Sequence, residues 1–290
     1  MYRAGFYRNR PSNMKLRMKS DMKIVRETAF RKTYSLPEIY DIAFDFRDVP
    51  AQVDFLLGVA EKYAARNISS ALEMACGPAY HAREMSRRGL IADGLDLEPA
   101  MIEYTRRLVE RDALSCRIFE GDMRSFRTDR KYDLVYSLMA SFAQLESNQD
   151  ILDNFSCAAD LLTDGGIYII CTAHPRDFYG DDKPSTKTAW TMTRGDVTIE
   201  TDWGGDNQQF DPLTEVDDIM VSFTVTDPLG TTRYEFPDRY RRCSYMTFQA
   251  LIQLSGRFEI VDMYGDFDRS RELTNDPACW RFIPILRKLG

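Results

Sequence analysis

The sequence predicts an α/β fold in which a mostly parallel sheet, covered by helices on both faces, carries an antiparallel β insertion. Between positions 70 and 175, short apolar runs alternate with helical patterns, which is typical of a parallel sheet with right-handed crossovers. The run over 167–171 is wholly apolar and that over 92–97 is apolar apart from Asp93 and Asp96, which is typical of strands buried on both faces. Residues 188–225 instead alternate with period two, which predicts antiparallel strands.

The individual elements can be assigned in chain order. Pro50 opens a helix near 50–65, and a shorter aromatic helix that carries Tyr40 precedes it. Gly165-Gly166 is expected to end a later helix, and the turn at 228–230 predicts a hairpin. The other predicted elements are core strands over 71–76, 90–97, 115–122, 132–139 and 167–173, hairpin strands over 219–226 and 231–236, helices over 80–89, 99–113, 148–162 and 245–256, and closing strands over 257–267 and 280–289.

The chain of 290 residues divides into three expected parts. These are a basic N-terminal arm over 1–35, a core with a helical lid over 36–175 and 241–290, and an insertion over 176–240 above the acceptor cleft. Residues 1–32 carry ten Lys or Arg against two acids, whereas 176–240 carries fourteen acids against six bases. The arm and the insertion could contact each other, a partner subunit in a homodimer, or only water. The net charge of −7 does not favour a nucleic-acid partner.

Cysteine spacing and hydropathy indicate the compartment. The six cysteines lie 14 or more residues apart with no C-x-x-C pair, which argues against a zinc site and a disulfide framework. No apolar run approaches 18 residues, and no apolar stretch follows the charged start. We therefore expect a cytoplasmic protein without a membrane partner.

Residues 71–90 predict a ligand site. The turn Cys76-Gly77-Pro78-Ala79 joins a strand to a helix, and its small residues let a ligand lie against the backbone and the helix N-terminus. Asp96 lies nineteen residues after Gly77 at the end of the second strand, where an acid can accept both hydroxyls of a ribose. Gly121-Asp122 ends the third strand, where a carboxylate can accept a hydrogen bond from an adenine amino group. These features together predict an adenosine site.

The residues around the turn favour one adenosine cofactor. The glycine spacing fits G-x-G-x-x-G poorly, and Glu73 would repel a pyrophosphate. An acid at that position suits the ammonium and sulfonium groups of S-adenosylmethionine.

Five ordered elements resemble the class I S-adenosylmethionine-dependent methyltransferases of the small-molecule type. They are Leu72–Ala79, Gly94–Met101, Gly121–Met123, Tyr132–Ser137 and Leu162–Gly166. The family usually has glycines where this chain has Ala75 and Ala79. The resemblance implies a Rossmann-like fold with a seven-stranded sheet, six strands parallel and the last antiparallel.

The resemblance also implies a role for each site residue. Ribose would be held by Asp96, and the cofactor carboxylate would be contacted by Tyr40 of the lid. The remaining implied contacts are Glu73, Ala75, Gly77, Ala79 and Ser137 at the methionine end, Leu97 and Met101 beside the adenine, and Gly121, Asp122 and Met123 at its edge.

The acceptor side is less defined by the sequence. His81 begins the helix of the turn, where a supporting hydrogen bond is expected, whereas His174 follows the fifth strand and is the candidate catalytic base or substrate contact. We expect methyl transfer to a nitrogen or oxygen of a small molecule. Two alternatives stay open: a non-catalytic cofactor-binding scaffold or sensor, suggested by Ala79 and the lack of an obvious base, and RNA methylation guided by the basic arm.

Overall fold

The computed structural model describes residues 23–26, 33–176, 189–204 and 209–290. The described strands are β1 Lys23–Arg26, β2 Ser70–Met74, β3 Ile91–Asp96, β4 Ile118–Glu120, β5 Tyr132–Ser137, β6 Leu162–Ile170, β7 Thr172–Ala173, β8 Ala189–Arg194, β9 Val197–Trp203, β10 Gln209–Asp211, β11 Val216–Asp227, β12 Gly230–Arg241, β13 Phe258–Tyr264 and β14 Arg281–Lys288. The described helices are α1 Pro37–Ala43, α2 Val49–Tyr63, α3 Tyr80–Arg87, α4 Pro99–Arg111, α5 Asn148–Leu161 and α6 Tyr245–Ser255, with short 3-10 helices over Thr33–Ser35 and Ser141–Gln144.

The core sheet has the strand order β13-β14-β6-β5-β2-β3-β4, and the short β7 pairs with β14. Only β14 runs antiparallel to its neighbours β6 and β13, which confirms the prediction of six parallel strands and one antiparallel. The order reverses at β2, which pairs in parallel with both β3 and β5. Ligands of open α/β sheets bind at the carboxyl ends of strands beside such a reversal.

Both faces of this sheet are covered, and local signals start the covering helices. Every residue of β2 and β5 is buried, so these strands carry apolar side chains on both faces. Asp48 caps α2 by accepting a hydrogen bond from the Ala51 N–H at 3.1 Å. Ser147 and Asp150 form a capping box at the start of α5. The sheet is thereby held between two apolar layers, with α2 and α3 in one and α5 and α6 in the other.

The insertion forms a second sheet in the order β1-β12-β11-β9-β8, with β10 paired to β11. The long antiparallel pairing of β11 and β12 confirms the predicted hairpin and extends beyond its predicted strands. The strand β1, from the basic arm, pairs in parallel with β12 from Lys23↔Thr232 to Arg26↔Glu235. Over these four residues the arm therefore contacts the insertion of its own chain; most of the remaining arm lies outside the described residues.

One face of the insertion sheet packs on the lid helix α1. Phe223 and Phe236 of this sheet are fully buried and share an apolar cluster with Tyr40 and Phe44. Trp190 of β8 donates a hydrogen bond from Nε1 to the carbonyl oxygen of Ala43 at 2.7 Å. The insertion is therefore anchored to the lid through both apolar and polar contacts.

Two predicted boundaries are wrong. The helix α5 ends at Leu161, before Gly165-Gly166, because Leu162 is already extended and pairs with Tyr132 of β5. Gly165, with φ +69°, instead lies in an irregular stretch of β6, where the register with β5 shifts. The strand predicted over 115–122 is reduced to β4, an edge strand that pairs only with the end of β3.

Some predictions fall on parts of the chain that are not described. The start of the insertion over 177–188 and part of the turn over 204–206 lie outside the described residues, and the three-part division of the chain stays a prediction. In the described part of the chain, no helix combines the length and apolar character that a membrane span requires.

Candidate functional site

The turn after β2 has an alternating left-handed backbone. Ala75, Gly77 and Ala79 have φ values of +52°, +52° and +51°. Glycine adopts this conformation freely, whereas a residue with a Cβ atom loses roughly 1–2 kcal/mol. The two positions where the chain departs from the family's glycines therefore keep the glycine-type backbone. The turn retains its shape at the cost of local strain.

Asp96 connects the end of β3 to this turn. Its Oδ2 accepts a hydrogen bond from the Gly77 N–H at 2.7 Å, and its Oδ1 accepts one from the Glu98 N–H at 3.0 Å. Burial raises the pKa of Asp96 above its usual value, while these N–H groups oppose the rise. Each carboxylate oxygen keeps a further acceptor position, so Asp96 can still accept the hydroxyls of a ribose. The cap of α4 is Glu98, which accepts from the Ala100 N–H.

Glu73, 4% exposed, is held on the inner side of the turn. Its Oε1 lies 3.0 Å from His81 Nδ1, and its Oε2 accepts a hydrogen bond from the Ala82 N–H at 3.0 Å. His81 in turn lies 2.7 Å from Gln52 Oε1 through Nε2. These contacts suit a supporting role for His81, and they fix the position of the Glu73 carboxyl group beneath the turn.

The lid covers the turn from the other side. The Tyr40 ring is 9% exposed, and its Cε1 lies 3.7 Å from the position that a Cβ atom on Gly77 would occupy. The ring stacks on Phe44 with centroids 4.4 Å apart. The structure thus brings Tyr40, Gly77 and Asp96 together.

Arg47 lies beside the candidate site, and the sequence analysis did not predict it. Its guanidinium carbon lies 4.9 Å from the ring centres of both Phe44 and Tyr80, beside the lid and the turn. Its Nε is buried and has no hydrogen-bond partner among the described residues. A half-buried arginine whose Nε–H has no partner among the described residues suits a carboxylate ligand. A single arginine after an aromatic helix carries no such signal in the sequence.

The residues expected around the adenine are placed unevenly. Leu97 is 54% exposed, whereas Met101 is fully buried in the cluster of the lid. Gly121 leaves no room for a side chain, because a Cβ atom would lie 2.9 Å from Phe126 and 3.0 Å from Leu95. The structure therefore separates Leu97, which is accessible, from Met101, which supports the lid.

Asp122 and Met123 are engaged with the protein itself. The Arg124 guanidinium forms a 2.6 Å ion pair with Asp122 and holds its pKa below the usual value. The carbonyl oxygen of Met123 accepts a hydrogen bond from Asn154 Nδ2 at 3.0 Å. A ligand amino group at Asp122 would therefore share this carboxylate with Arg124.

Ser137 ends β5 beside the turn, opposite Met74 in the ladder with β2. It is fully buried, and its Oγ has no hydrogen-bond partner within the described ranges. Such an orphaned hydroxyl is costly unless a ligand or water satisfies it. Met139 and Ala140, which follow, both have left-handed backbones, with φ +54° and +61°. The strained segment and the orphaned hydroxyl lie at the same edge of the sheet as Asp96.

His174 is placed differently from the other predicted residues. It is 3% exposed; its Nδ1 accepts a hydrogen bond from the Arg176 N–H, and its Nε2 lies 3.0 Å from the carbonyl oxygen of Thr274. Both ring nitrogens therefore bond to main-chain groups. This geometry favours a structural role, and the function of His174 as a base stays a prediction.

A polar cluster next to the lid was also not predicted from the sequence. Tyr34 and Tyr240 place their hydroxyl oxygens 2.9 Å apart, and Gln144 Nε2 donates to the Tyr34 hydroxyl at 2.8 Å. The Tyr34 ring lies 5.5 Å from Tyr40. The three residues come from the segment before the lid, the segment after β5 and the insertion. Since they are more than ninety residues apart in sequence, no local pattern could have joined them.

Comparisons with known proteins agree with this geometry. Residues 71–166 match the family model described as a methyltransferase domain. The chain is 26% identical over 129 residues to dTDP-3-amino-3,4,6-trideoxy-alpha-D-glucopyranose N,N-dimethyltransferase of Streptomyces venezuelae, covering 40% of this chain and 53% of that relative. It is 25% identical over 169 residues to dTDP-3-amino-3,6-dideoxy-alpha-D-glucopyranose N,N-dimethyltransferase of Streptomyces fradiae, covering 57% and 62%. The chain thus spans less than two thirds of the length of these curated relatives.

A solved structure shares the fold over most of the chain. It is an S-adenosylmethionine-dependent methyltransferase from Clostridium acetobutylicum, with a TM-score of 0.72 at 16% identity, covering 88% of this chain and 98% of that one. Together with the family model, it confirms the Rossmann-like fold and the resemblance stated from the sequence.

Proposed function

We propose that this chain, which contains a methyltransferase domain over residues 71–166, is an S-adenosylmethionine-dependent methyltransferase that methylates an amino group of a small molecule. The observation that carries the proposal is the closed contact between Asp96 and the Gly77 N–H at 2.7 Å, beneath the Tyr40 ring. It presents an acid, a backbone turn and an aromatic cover in one place, which suits the ribose and methionine parts of the cofactor.

The polar groups around the turn fit this cofactor. Asp96 would accept the ribose hydroxyls, Arg47 would pair with the methionine carboxylate, and Ser137 would donate its orphaned hydroxyl hydrogen to the methionine part. When bound, S-adenosylmethionine supplies a methyl group on an already activated sulfonium. The chain's own residues therefore act by aligning the acceptor and by excluding water. The stacked rings of Tyr40 and Phe44 in the lid would exclude the water.

An amine is favoured over a hydroxyl as the acceptor. A hydroxyl needs a general base, whereas an amine needs only to lose its proton before it attacks. Both histidines of the chain bond through their ring nitrogens to other groups. The cluster of Tyr34, Gln144 and Tyr240 offers hydrogen-bond acceptors that can orient an amine without ionising.

Two of the curated relatives support an amino sugar as the acceptor class. Both are named as N,N-dimethyltransferases of dTDP-linked amino sugars. We propose that this chain acts on a nucleotide-linked amino sugar. The alternative of a non-catalytic scaffold rested in part on Ala79, and it loses that support because Ala79 keeps the backbone that a glycine would have.

Localisation and assembly belong to the same proposal. We propose a cytoplasmic enzyme that forms a homodimer through the insertion sheet. The arm strand β1 lies against β12 of its own chain. Among the described strands, β8 is the opposite edge of this sheet, and we assign it to a partner. Light scattering of the purified chain tests this assignment, and a monomeric mass at micromolar concentration would contradict it.

The cofactor assignment is tested by calorimetry. Asp96→Ala should weaken S-adenosylmethionine binding by about a hundredfold, since hydrogen bonds to a charged group are worth roughly 1.5–3 kcal/mol each. The control is Asp129→Ala, an acid on the exposed loop before β5, which should bind as the wild type does. Wild-type protein that binds a nicotinamide dinucleotide but not S-adenosylmethionine would contradict the proposal.

The acceptor assignment is tested by turnover. Wild-type protein should release S-adenosylhomocysteine in the presence of dTDP-linked amino sugars and not with the matching sugars that carry a hydroxyl in place of the amine. Equal turnover with both would assign the acceptor to oxygen, and binding of the cofactor without turnover across amino and hydroxyl sugars would favour the scaffold.

A further inference from the structure

Asp41 is a buried carboxylate that the reaction outlined above does not use. It lies in the lid helix α1 and is 4% exposed. The carboxylate accepts hydrogen bonds from the Tyr80 hydroxyl, from the Tyr104 hydroxyl at 2.8 Å and from Arg194 Nη1 at 2.6 Å. Its main-chain oxygen also accepts from Tyr80 at 2.8 Å and from Arg194 Nη2 at 3.2 Å. Three donors from three other elements therefore converge on one residue.

The three donors to Asp41 belong to three different elements of the fold. Tyr80 is the first residue of α3, directly after Ala79 of the cofactor turn. Tyr104 belongs to α4, the helix that follows Asp96. Arg194 ends β8 of the insertion sheet. Asp41 thus joins three parts of the protein: the turn Cys76–Ala79, the helix α4 after Asp96, and the insertion sheet.

A second contact fixes the same strand to the same helix. Trp190, four residues before Arg194 in β8, donates to the main chain at the end of α1 and packs edge-on against Phe44 at 5.3 Å. The outer strand of the insertion is therefore attached to the lid at two points, one apolar and one ionic. The lid helix itself is only seven residues long, so it has little stability of its own.

We propose that Asp41 is a positioning residue through which the insertion sheet holds the lid closed over the cofactor turn. Removing Arg194 would leave a buried carboxylate without its cation, which is a costly state. Movement of the lid toward solvent relieves that cost, and it carries Tyr40 away from Gly77. A change in the acceptor-side sheet should therefore alter cofactor affinity, although Arg194 is not itself assigned to the cofactor. This consequence rests on the proposed cofactor site.

The test compares two partners of one arginine. Arg194 also pairs with Asp45, which is 46% exposed, at 3.2 Å. Arg194→Met should weaken S-adenosylmethionine binding by about tenfold, within the usual range of coupling between sites. Asp45→Asn removes only the exposed contact and should change the affinity less than about twofold. Asp41→Asn combined with Arg194→Met should bind better than Arg194→Met alone, because the buried charge is then absent.

A second readout separates this proposal from the cofactor assignment. The fluorescence of Trp190 and Trp203, which pack together at 6.3 Å, reports whether the insertion stays on the lid, and it needs no ligand. Measurements on a Trp280→Phe background leave only these two indoles. Arg194→Met should shift their emission to longer wavelength, and Asp45→Asn should not.

The outcomes are distinct. A shifted emission with unchanged cofactor affinity would overturn the coupling between sheet and site. Unchanged emission in Arg194→Met would overturn the attachment itself. If the wild type binds no S-adenosylmethionine but Arg194→Met shifts the emission, the cofactor assignment has failed while the attachment by Asp41 stands.

Discussion

At the scale of single residues, the backbone strain at the left-handed alanines Ala75 and Ala79 can be measured by substitution. Ala79→Gly loses a buried methyl group and gains chain entropy in the unfolded state, together about 2 kcal/mol, but it relieves roughly 1–2 kcal/mol of backbone strain. We expect its free energy of unfolding to fall by less than about 1 kcal/mol. The control Ala82→Gly, buried in α3 with no positive φ, should lose about 2 kcal/mol.

Urea unfolding measures both variants. Equal losses would mean that Ala79 is unstrained in solution and does not hold a glycine-type backbone there.

The orphaned hydroxyl of Ser137 gives a sharper test of ligand fit. In the cofactor-free protein, Ser137→Ala removes an unsatisfied buried group and should leave the melting temperature unchanged or raise it. The same variant should bind S-adenosylmethionine about threefold to tenfold more weakly, the effect of one lost hydrogen bond. Differential scanning calorimetry measures the melting temperature, and isothermal titration calorimetry measures the affinity. A lower melting temperature with unchanged affinity would exclude Ser137 from the site.

The residues that could be predicted are those fixed by local chain geometry. Gly77 and Asp96 follow from strand ends, because parallel strands bring their carboxyl ends to one edge. Three other residues near the site could not be predicted, because their contacts join distant parts of the chain. Arg47 lies against the Tyr80 ring, and the hydroxyl of Tyr34 contacts that of Tyr240. The roles of His174 and Met101 were drawn from their positions after a strand and in a helix, and position alone does not show what a side chain contacts.

At the scale of elements, the bulge of β6 explains why the helix boundary was wrong. A glycine pair after an apolar helix is a common stop signal, but here the chain becomes extended at Leu162 and uses Gly165 to restore the register with β5. The hairpin of β11 and β12 was predictable because its turn is local. The pairing of β1 with β12 was not, since more than 200 residues separate the partners.

The bulge can be tested against a second left-handed glycine. A Cβ atom at Gly165 would lie 2.7 Å from Ala65 Cβ, whereas none of the described atoms lies within 4 Å at Gly195 of the β8–β9 turn. Both glycines have positive φ. Gly195→Ala should lose about 1 kcal/mol from its backbone alone, and Gly165→Ala should lose roughly 1–3 kcal/mol more because of the clash. Similar losses in urea unfolding would mean that the loop at Ala65 moves freely.

At the scale of the whole molecule, the cysteines behave as apolar core residues, in line with their spacing in the sequence. All six are free thiols, and five are buried. Burial raises the pKa of Cys157 to about 11 and that of Cys116 to about 12. At pH 8 the native protein should therefore react slowly with a thiol reagent, whereas the urea-unfolded protein should titrate six thiols at once. A thiol that reacts within seconds in the native protein would contradict this view of the core.

The pH dependence of stability follows from carboxylates whose pKa values shift in opposite directions on folding. Burial works to raise the pKa of Asp133, but hydrogen bonds from Ser69 and Ser70 outweigh it, and the pKa lies below its usual value. A carboxylate with a depressed pKa stabilises the fold above its unfolded value of about 4, and this contribution is lost as the pH falls toward the folded value. Asp41 behaves in the same way through Arg194 and its two tyrosines.

Asp96 has the opposite sign, because burial raises its pKa, so its protonation on acidification favours the folded state. Since the depressed groups are more numerous, the melting temperature should stay level from about pH 8 to pH 5 and fall below about pH 4. Asp133→Asn should lower stability at pH 7 and flatten this acid slope, whereas Asp129→Asn on the exposed loop should follow the wild-type curve. Parallel curves for Asp133→Asn and wild type between pH 5 and pH 3 would show that Asp133 does not carry the acid sensitivity, because a group whose pKa is unchanged by folding contributes no slope.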